Sequence, residues 1–259
     1  ERLTLEFGAA RRRLQVQKLR GVDFCAGLHD FAIRHGGLQV YPRLVANQHH
    51  VAFSGDPVPS GVAGLDALLG GGPLRGTSTL ITGPAGSGKT SLALQYIDAA
   101  CRRGERCTIY EFDERIGTML IRSDSMGLQL QQHIDNGLLD IRQIDPAELS
   151  PGEFAWLVRN EVEQHQCRMI VIDSLNGYLN AMPDERFLVI QLHELLTFLG
   201  QSGVASLLIG AQHGLIGTQM TSPVDASYLA DSVVLMRYYE AQGEVRQAIS
   251  VVKKRSGEH

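Results

Sequence analysis

STLITGPAGSGKTSLALQY, residues 78–96, joins three patterns whose order decides the fold. Residues 78–82 form an apolar, β-branched run that reads as a buried strand. Gly83-Pro84-Ala85-Gly86-Ser87-Gly88-Lys89-Thr90 then fits G-x-x-x-x-G-K-[ST] in full, and Ser91 opens a helical pattern, SLALQYIDAAC. At average composition such a match arises by chance in about 1% of chains this long. Here it also has the strand before it and the helix after it. The glycines let backbone N–H groups close around phosphates, and the helix N-terminus adds its positive dipole. In that chemistry Lys89 reaches the β- and γ-phosphates and the Thr90 hydroxyl ligates Mg²⁺. Residues 83–91 are therefore expected to bind ATP with Mg²⁺.

Outward from this stretch, strand and helix patterns alternate. Residues 61–76 read as a short amphipathic helix closed by three glycines. After the phosphate loop come a strand at 107–112, helical patterns around 115–135 and a strand at 138–144. A helix from about Pro151 to His165 follows, then a continuous apolar strand at 168–173. A long helix at about 184–201 and a strand at 204–210 precede two last strands, 232–240 and 244–254. Gln242-Gly243 between these two is a hairpin signal. The order predicts an α/β fold, a mostly parallel sheet flanked by helices and ending in an antiparallel hairpin. Upstream, the Arg11–Arg13 run leads into a strand expected through Leu19, with further strands at 31–33 and 38–40 around a His35-Gly36-Gly37 turn. Residues 47–60, with Asp56-Pro57 and Pro59, read as a linker or an exposed entry loop.

Two acidic features complete the pattern. Asp173 ends the apolar run 168–172, where a carboxylate can hold Mg²⁺ or its water. The structural alternative is a cap on the next helix. Asp113-Glu114 follows the strand 107–112 at the edge where an open parallel sheet binds its ligands. A carboxylate held there can polarise the water that attacks the γ-phosphate, with Glu114 also a candidate metal ligand. The alternative is a solvated turn paired with Arg115.

Composition narrows the rest. The 259 residues are 44% apolar and carry a formal charge of −4, which gives no overall pull toward nucleic acid or an anionic membrane. No run approaches the ~18 apolar residues of a membrane span. Cys25, Cys101, Cys107 and Cys167 show no C-x-x-C pair, so reduced buried thiols in a cytoplasmic protein are expected. His49-His50 lies in a polar linker without neighbouring carboxylates in sequence, which disfavours a metal site.

Taken together, residues 61–96 resemble the leading helix and phosphate loop of KaiC-type ATPases within the RecA superfamily. FDE (112–114) matches that family's acidic pair, IDSLNGY (172–178) resembles its second acidic motif, and GEVRQAISVVKKRSGEH (243–259) resembles its terminal hairpin. The resemblance implies a ring, usually a hexamer, with ATP between neighbours. It implies that Lys253 and Arg255 reach the γ-phosphate of the next subunit, in the manner of an arginine finger. The alternative is a strand-edge basic cluster that blocks aggregation. KaiC proteins carry two such domains in tandem, each ending in a Lys-x-Arg hairpin. Lys18-Leu19-Arg20 echoes Lys253-Lys254-Arg255, so residues 1–55 are expected to be the terminal strands of a preceding RecA-like domain plus a linker. Residues 56–259 are then the ATPase domain, and Lys18 and Arg20 are idle here.

The resemblance thins in two places. Clock-type members phosphorylate a Ser-Thr pair whose counterpart here is Ser227-Tyr228, so serine autophosphorylation is the weaker reading and an ordinary loop serine the stronger. DNA-acting RecA relatives need basic and stacking residues in the loop facing the ring centre. Residues 214–226 contain no Lys, Arg or aromatic residue, which makes a recombinase the least favoured reading. Gln212, after the strand 204–210, is a candidate γ-phosphate sensor. The expected function is ATP hydrolysis in a ring with signalling or regulatory protein partners. A non-catalytic, ATP-stabilised scaffold is the alternative.

Overall fold

The computed structural model describes residues 2–3, 9–179, 185–212 and 228–255. Its first layer is a four-stranded antiparallel sheet, β1 (Arg2–Leu3), β2 (Arg11–Leu14), β3 (His29–Arg34) and β4 (Gly37–Tyr41), in that spatial order. The expected strand through Leu19 stops at Leu14. Residues 15–28 leave the sheet because β3 pairs β2 only at Arg13 and Leu14, so later residues have no ladder to join. A 3₁₀ turn, Ala46–Gln48, leads into the extended stretch 49–62, and helix α1 (Ala63–Leu68) precedes the main sheet.

That sheet alternates with helices. Strand β5 (Ser78–Gly83) runs into α2 (Lys89–Arg102), and β6 (Cys107–Glu111) into α3 (Ile116–Ser125) and α4 (Leu130–Asp135). Next come β7 (Leu139–Gln143), α5 (Pro151–Glu163), β8 (Met169–Asp173), α6 (Leu175–Leu179) and α7 (Glu185–Gln201). Strands β9 (Ala205–Ala211), β10 (Ser232–Ala241) and β11 (Glu244–Lys254) finish it. The spatial order is β11-β10-β5-β9-β8-β6-β7. Every neighbouring pair is parallel except β10 with β11. This is the expected architecture. Gln242 and Gly243, at φ of 57° and 77°, make the two-residue turn that the sequence signalled.

Alternate residues of the central strands face two cores. Leu80, Tyr110, Ile170, Ile172 and Leu208 pack on α5, α6 and α7. Ile81, Ile109, Val171, Leu207 and Ile209 pack on α1–α4. The period of two therefore places Glu111, two residues beyond Ile109, and Asp173, two beyond Val171, on the α2 face. The short helix α6, directly after Asp173, had no counterpart in the sequence reading.

The small sheet is fastened to α5. Ser150 caps that helix by accepting from the Glu153 N–H, and Pro151 begins it. Glu153, buried, then accepts from the Tyr41 hydroxyl at 2.6 Å and from the Arg34 guanidinium. Asp30 accepts from Gly152 N at 2.9 Å, and Arg11 donates to the carbonyls of Pro146 and Leu149. Burial and the Glu153 contact both raise the Tyr41 pKa. Removing the buried hydroxyl leaves part of the Glu153 carboxylate unsatisfied. Tyr41→Phe is expected to cost about 1–3 kcal/mol of stability, read as a lower denaturation midpoint in urea, with nucleotide affinity unchanged.

Candidate nucleotide site

Strand β5 is buried along its whole length, and its chain leaves the sheet at Gly83. A Cβ at Gly83 would lie 2.2 Å from the Met236 carbonyl oxygen on β10, so only glycine lets the two backbones approach this closely. The loop then closes through Ser87, whose hydroxyl donates to Pro84 O at 2.9 Å. Gly88, at φ 92°, is the N-cap of α2 and supplies no side-chain cap. The first-turn N–H groups of a 14-residue helix thus meet the loop without a side-chain acceptor, which is the arrangement that accepts an anion.

Lys89 folds back along this loop. Its Nζ donates to Gly83 O at 3.0 Å and Pro84 O at 2.8 Å. Burial lowers its pKa, and the Asp173 charge opposes that shift. Thr90 Oγ1 donates to Asp173 Oδ2 at 2.6 Å. Strand β9 lies between β5 and β8, yet α2 crosses the sheet and brings the two residues together. Asp173 is buried, and burial raises its pKa, with the Thr90 hydrogen bond acting against it and the charges of Asp113 and Glu114 acting with it. A hydroxyl and a carboxylate so joined, beside a lysine, fit Mg²⁺ held chiefly by phosphates. Among the described residues no group of three or more His, Cys, Asp or Glu could hold a metal unaided.

The acidic pair divides. Asp113 accepts from the Ser174 hydroxyl at the start of α6, beside Asp173. Glu114 is taken by Arg122 of α3, through bonds of 2.9 and 2.7 Å to its two oxygens. The cation that pairs with Glu114 is therefore Arg122, about two helical turns along the chain, and not Arg115. Gly177 permits the close packing here, since a Cβ on it would lie 2.5 Å from Phe112 Cβ.

The hairpin carries its basic end elsewhere. Lys253 is paired with Val233, and Ser232 is paired with Thr79, near the start of β5. Four strand residues, ~13 Å, separate Thr79 from Gly83. Lys253 Nζ donates to Ala230 O at 2.7 Å, and Arg255 donates to Tyr228 O at 2.9 Å and lies 3.5 Å from Asp231. These two cations thus sit at the opposite end of β5 from their own phosphate loop. The other half of the hairpin abuts that loop, with Tyr238 and Gln247 each 3.5 Å from a loop carbonyl, Ala85 O and Gly86 O.

Gln212 N donates to Gly83 O at 3.1 Å, and its Oε1 is buried without a partner among the described residues. Lys18 and Arg20 lie in the irregular segment after β2, exposed. Residues 214–226 and Ser227 lie outside the described residues. His49 pairs with Glu163 at 3.0 Å, so the linker does meet a carboxylate through the fold. Cys101, Cys107 and Cys167 are buried and free, while Cys25 is only half-buried. No helix among the described residues is long and apolar enough to cross a membrane.

Sequence reasoning missed Glu111. It is 1% exposed, faces the α2 side opposite Asp173, and accepts from Asp113 N at 3.1 Å and Glu114 N at 2.8 Å through Oε1. Its signal was present, a glutamate inside the apolar run CTIYEF. Burial first, and then the Asp173 charge, push its pKa from 4.5 up to about 8. Between those values the folded chain holds a proton that the unfolded chain has lost. The contribution of this group to stability is therefore intact below about pH 4.5 and is lost as pH rises through about 8. Glu111→Gln has no such proton. In thermal melts without Mg²⁺ or nucleotide, its stability relative to the parent is expected to rise steadily across that window. A constant difference would show that Glu111 titrates as an ordinary carboxylate.

Comparison with known proteins agrees with this geometry. A family profile described as "ATPase: KaiC" matches residues 58–259. The "Circadian clock oscillator protein KaiC" of Picosynechococcus sp. is 26% identical over 258 residues, covering 100% of this chain and 50% of the relative. The protein of the same description from Synechococcus elongatus is 27% identical over 262 residues, 100% of this chain and 49% of its own length. That from Parathermosynechococcus lividus is 28% identical over 257 residues, 98% and 47%. The chain thus spans about half the length of the curated relatives it matches. With the profile covering most of its residues and the phosphate loop, Thr90 and Asp173 assembled at one sheet edge, the chain belongs to the KaiC family of ATPases.

Proposed function

We propose that this chain binds ATP with Mg²⁺ at residues 83–91 and hydrolyses it at the interfaces of a KaiC-like homo-oligomeric ring, a hexamer by family resemblance. The observation that carries the reading is the 2.6 Å bond from Thr90 to Asp173 at the uncapped start of α2. Lys89 would exchange its loop carbonyls for the β- and γ-phosphates. Thr90 and Asp173 would hold Mg²⁺, which when bound neutralises phosphate charge. Asp113, oriented by Ser174, would accept the proton of the attacking water as the oxygen of the β-phosphate leaves. Glu114 would join it, or ligate the metal, only on release from Arg122. Gln212, bonded through its backbone N–H to Gly83 O and with its side-chain oxygen unpartnered among the described residues, is suited to sense the γ-phosphate.

Lys253 and Arg255 lie too far along β5 to serve their own loop, which favours action across an interface. Residues 1–55 read as the last strands of a preceding RecA-like domain plus a linker. Their support is that the curated relatives match the whole chain while the family profile begins at residue 58. For a signalling role with protein partners in the cytoplasm, family resemblance is the support. Autophosphorylation at Ser227 remains the weaker reading.

Two experiments test this. Lys89→Ala is expected to weaken ATP binding by about 100-fold or more, whereas Asp173→Asn keeps most of the affinity and lowers kcat by a similar factor. Unchanged ATP binding by Lys89→Ala in a direct titration would remove the site. For the interface, Arg255→Ala is expected to lower turnover by about 10³-fold or more, with affinity little changed and Arg20→Ala silent. Mixing Arg255→Ala with Lys89→Ala should restore activity above either alone, because some interfaces then join an intact loop to an intact finger. Full activity in a strictly monomeric sample would defeat the shared site.

A further inference from the structure

Strand β6 ends where its backbone loses both neighbours. Phe112 N still donates to Asp173 O at 2.6 Å, and Ile144 N donates to Glu111 O at 2.7 Å, which closes the two ladders. The next two N–H groups, of Asp113 and Glu114, have no strand to join. Both turn to a single atom, Glu111 Oε1. That shared acceptor draws the chain into a tight turn, and the turn sends the two acidic side chains apart. Asp113 goes to Ser174 and the metal edge, Glu114 goes to Arg122. The second Glu111 oxygen, Oε2, is buried with no partner among the described residues. An apolar side chain would fill this place at lower desolvation cost, so packing does not explain a glutamate here.

We propose that Glu111 is a positioning residue for hydrolysis, its Oε1 clamping the backbone of residues 113 and 114 so that Asp113 faces the γ-phosphate. The assignment rests on the ATP hydrolysis proposed above. The loop has other supports, since Gln143 Nε2 donates to Glu114 O at 3.2 Å and Phe112 packs on Gly177. Neither of them fixes the 113–114 amides, which is what directs the acidic pair. Glu111 itself is buried, so it acts through Asp113 and not on the nucleotide.

The test is Glu111→Met, which keeps length and volume and removes both acceptors. It is expected to lower kcat by about tenfold or more while the ATP dissociation constant stays within about twofold. Its melting temperature at about pH 8 should equal or exceed the parent's, because a desolvated carboxyl is gone. Amide hydrogen exchange at residues 113 and 114 should speed up. Glu111→Gln, whose carbonyl oxygen can take the place of Oε1, should recover kcat to within about threefold and restore protection of both amides. Parental kcat in Glu111→Met overturns the proposal, as does a Gln variant as slow as Met. If the parent chain does not turn over ATP, the function proposed above fails, and the amides still decide the clamp. Unchanged protection at 113 and 114 in Glu111→Met would then overturn it. Should Glu111→Met and Glu111→Leu both fail to fold, Glu111 is a structural residue and the assignment falls.

Discussion

Strand β5 is covered on both faces and bonded along both edges, and its six residues have no exposed side. A strand so enclosed cannot slip by one residue without turning its apolar set the wrong way. Its end, Gly83, is therefore fixed relative to the rest of the sheet. From that point the loop, the start of α2 and the Thr90–Asp173 bond take their positions. The β10–β11 hairpin is held by the same strand, because β10 pairs with its other edge.

The site draws on electrostatics that would be costly without a cation. Asp173, Glu111 and Asp113 meet at one edge, and burial raises the pKa of the first two. Lys89 and the α2 N-terminus supply positive potential from one side only. This crowding of carboxylates beside Lys89 is the electrostatic basis of the proposed binding of Mg²⁺ and phosphate together, since each would relieve the repulsion that the other would feel. Glu114 is paired with Arg122, yet its charge still bears on Asp173 and Glu111.

Much of this was legible because it is local. The G-x-x-x-x-G-K-T run lies in nine consecutive residues with Ser91, and the strand and helix around it announce themselves by period. The hairpin turn at Gln242-Gly243 and the start of α5 at Pro151 were equally readable. Where the sequence reading erred, a partner distant in the chain was responsible. The strand after Arg11–Arg13 ends at Leu14 because β3 offers no further pairs. Arg122 outcompetes Arg115 for Glu114 because α3 carries it back over the loop. His49 finds Glu163 although 114 residues separate them.

The amino-acid order alone determined the fold class, the phosphate loop, the identity of the acidic candidates and the Lys-x-Arg ending, since each is written in neighbouring residues. Only the tertiary structure decided which of them meet. It joined Thr90 to Asp173 across 83 residues of sequence and placed Lys253 and Arg255 at the far end of β5 from their own loop. It also turned Glu111 from an oddity in an apolar strand into the acceptor beneath the acidic pair. The reason is physical. Strand order and side-chain direction arise from pairing and burial between distant segments, and a linear sequence records the residues but not their neighbours.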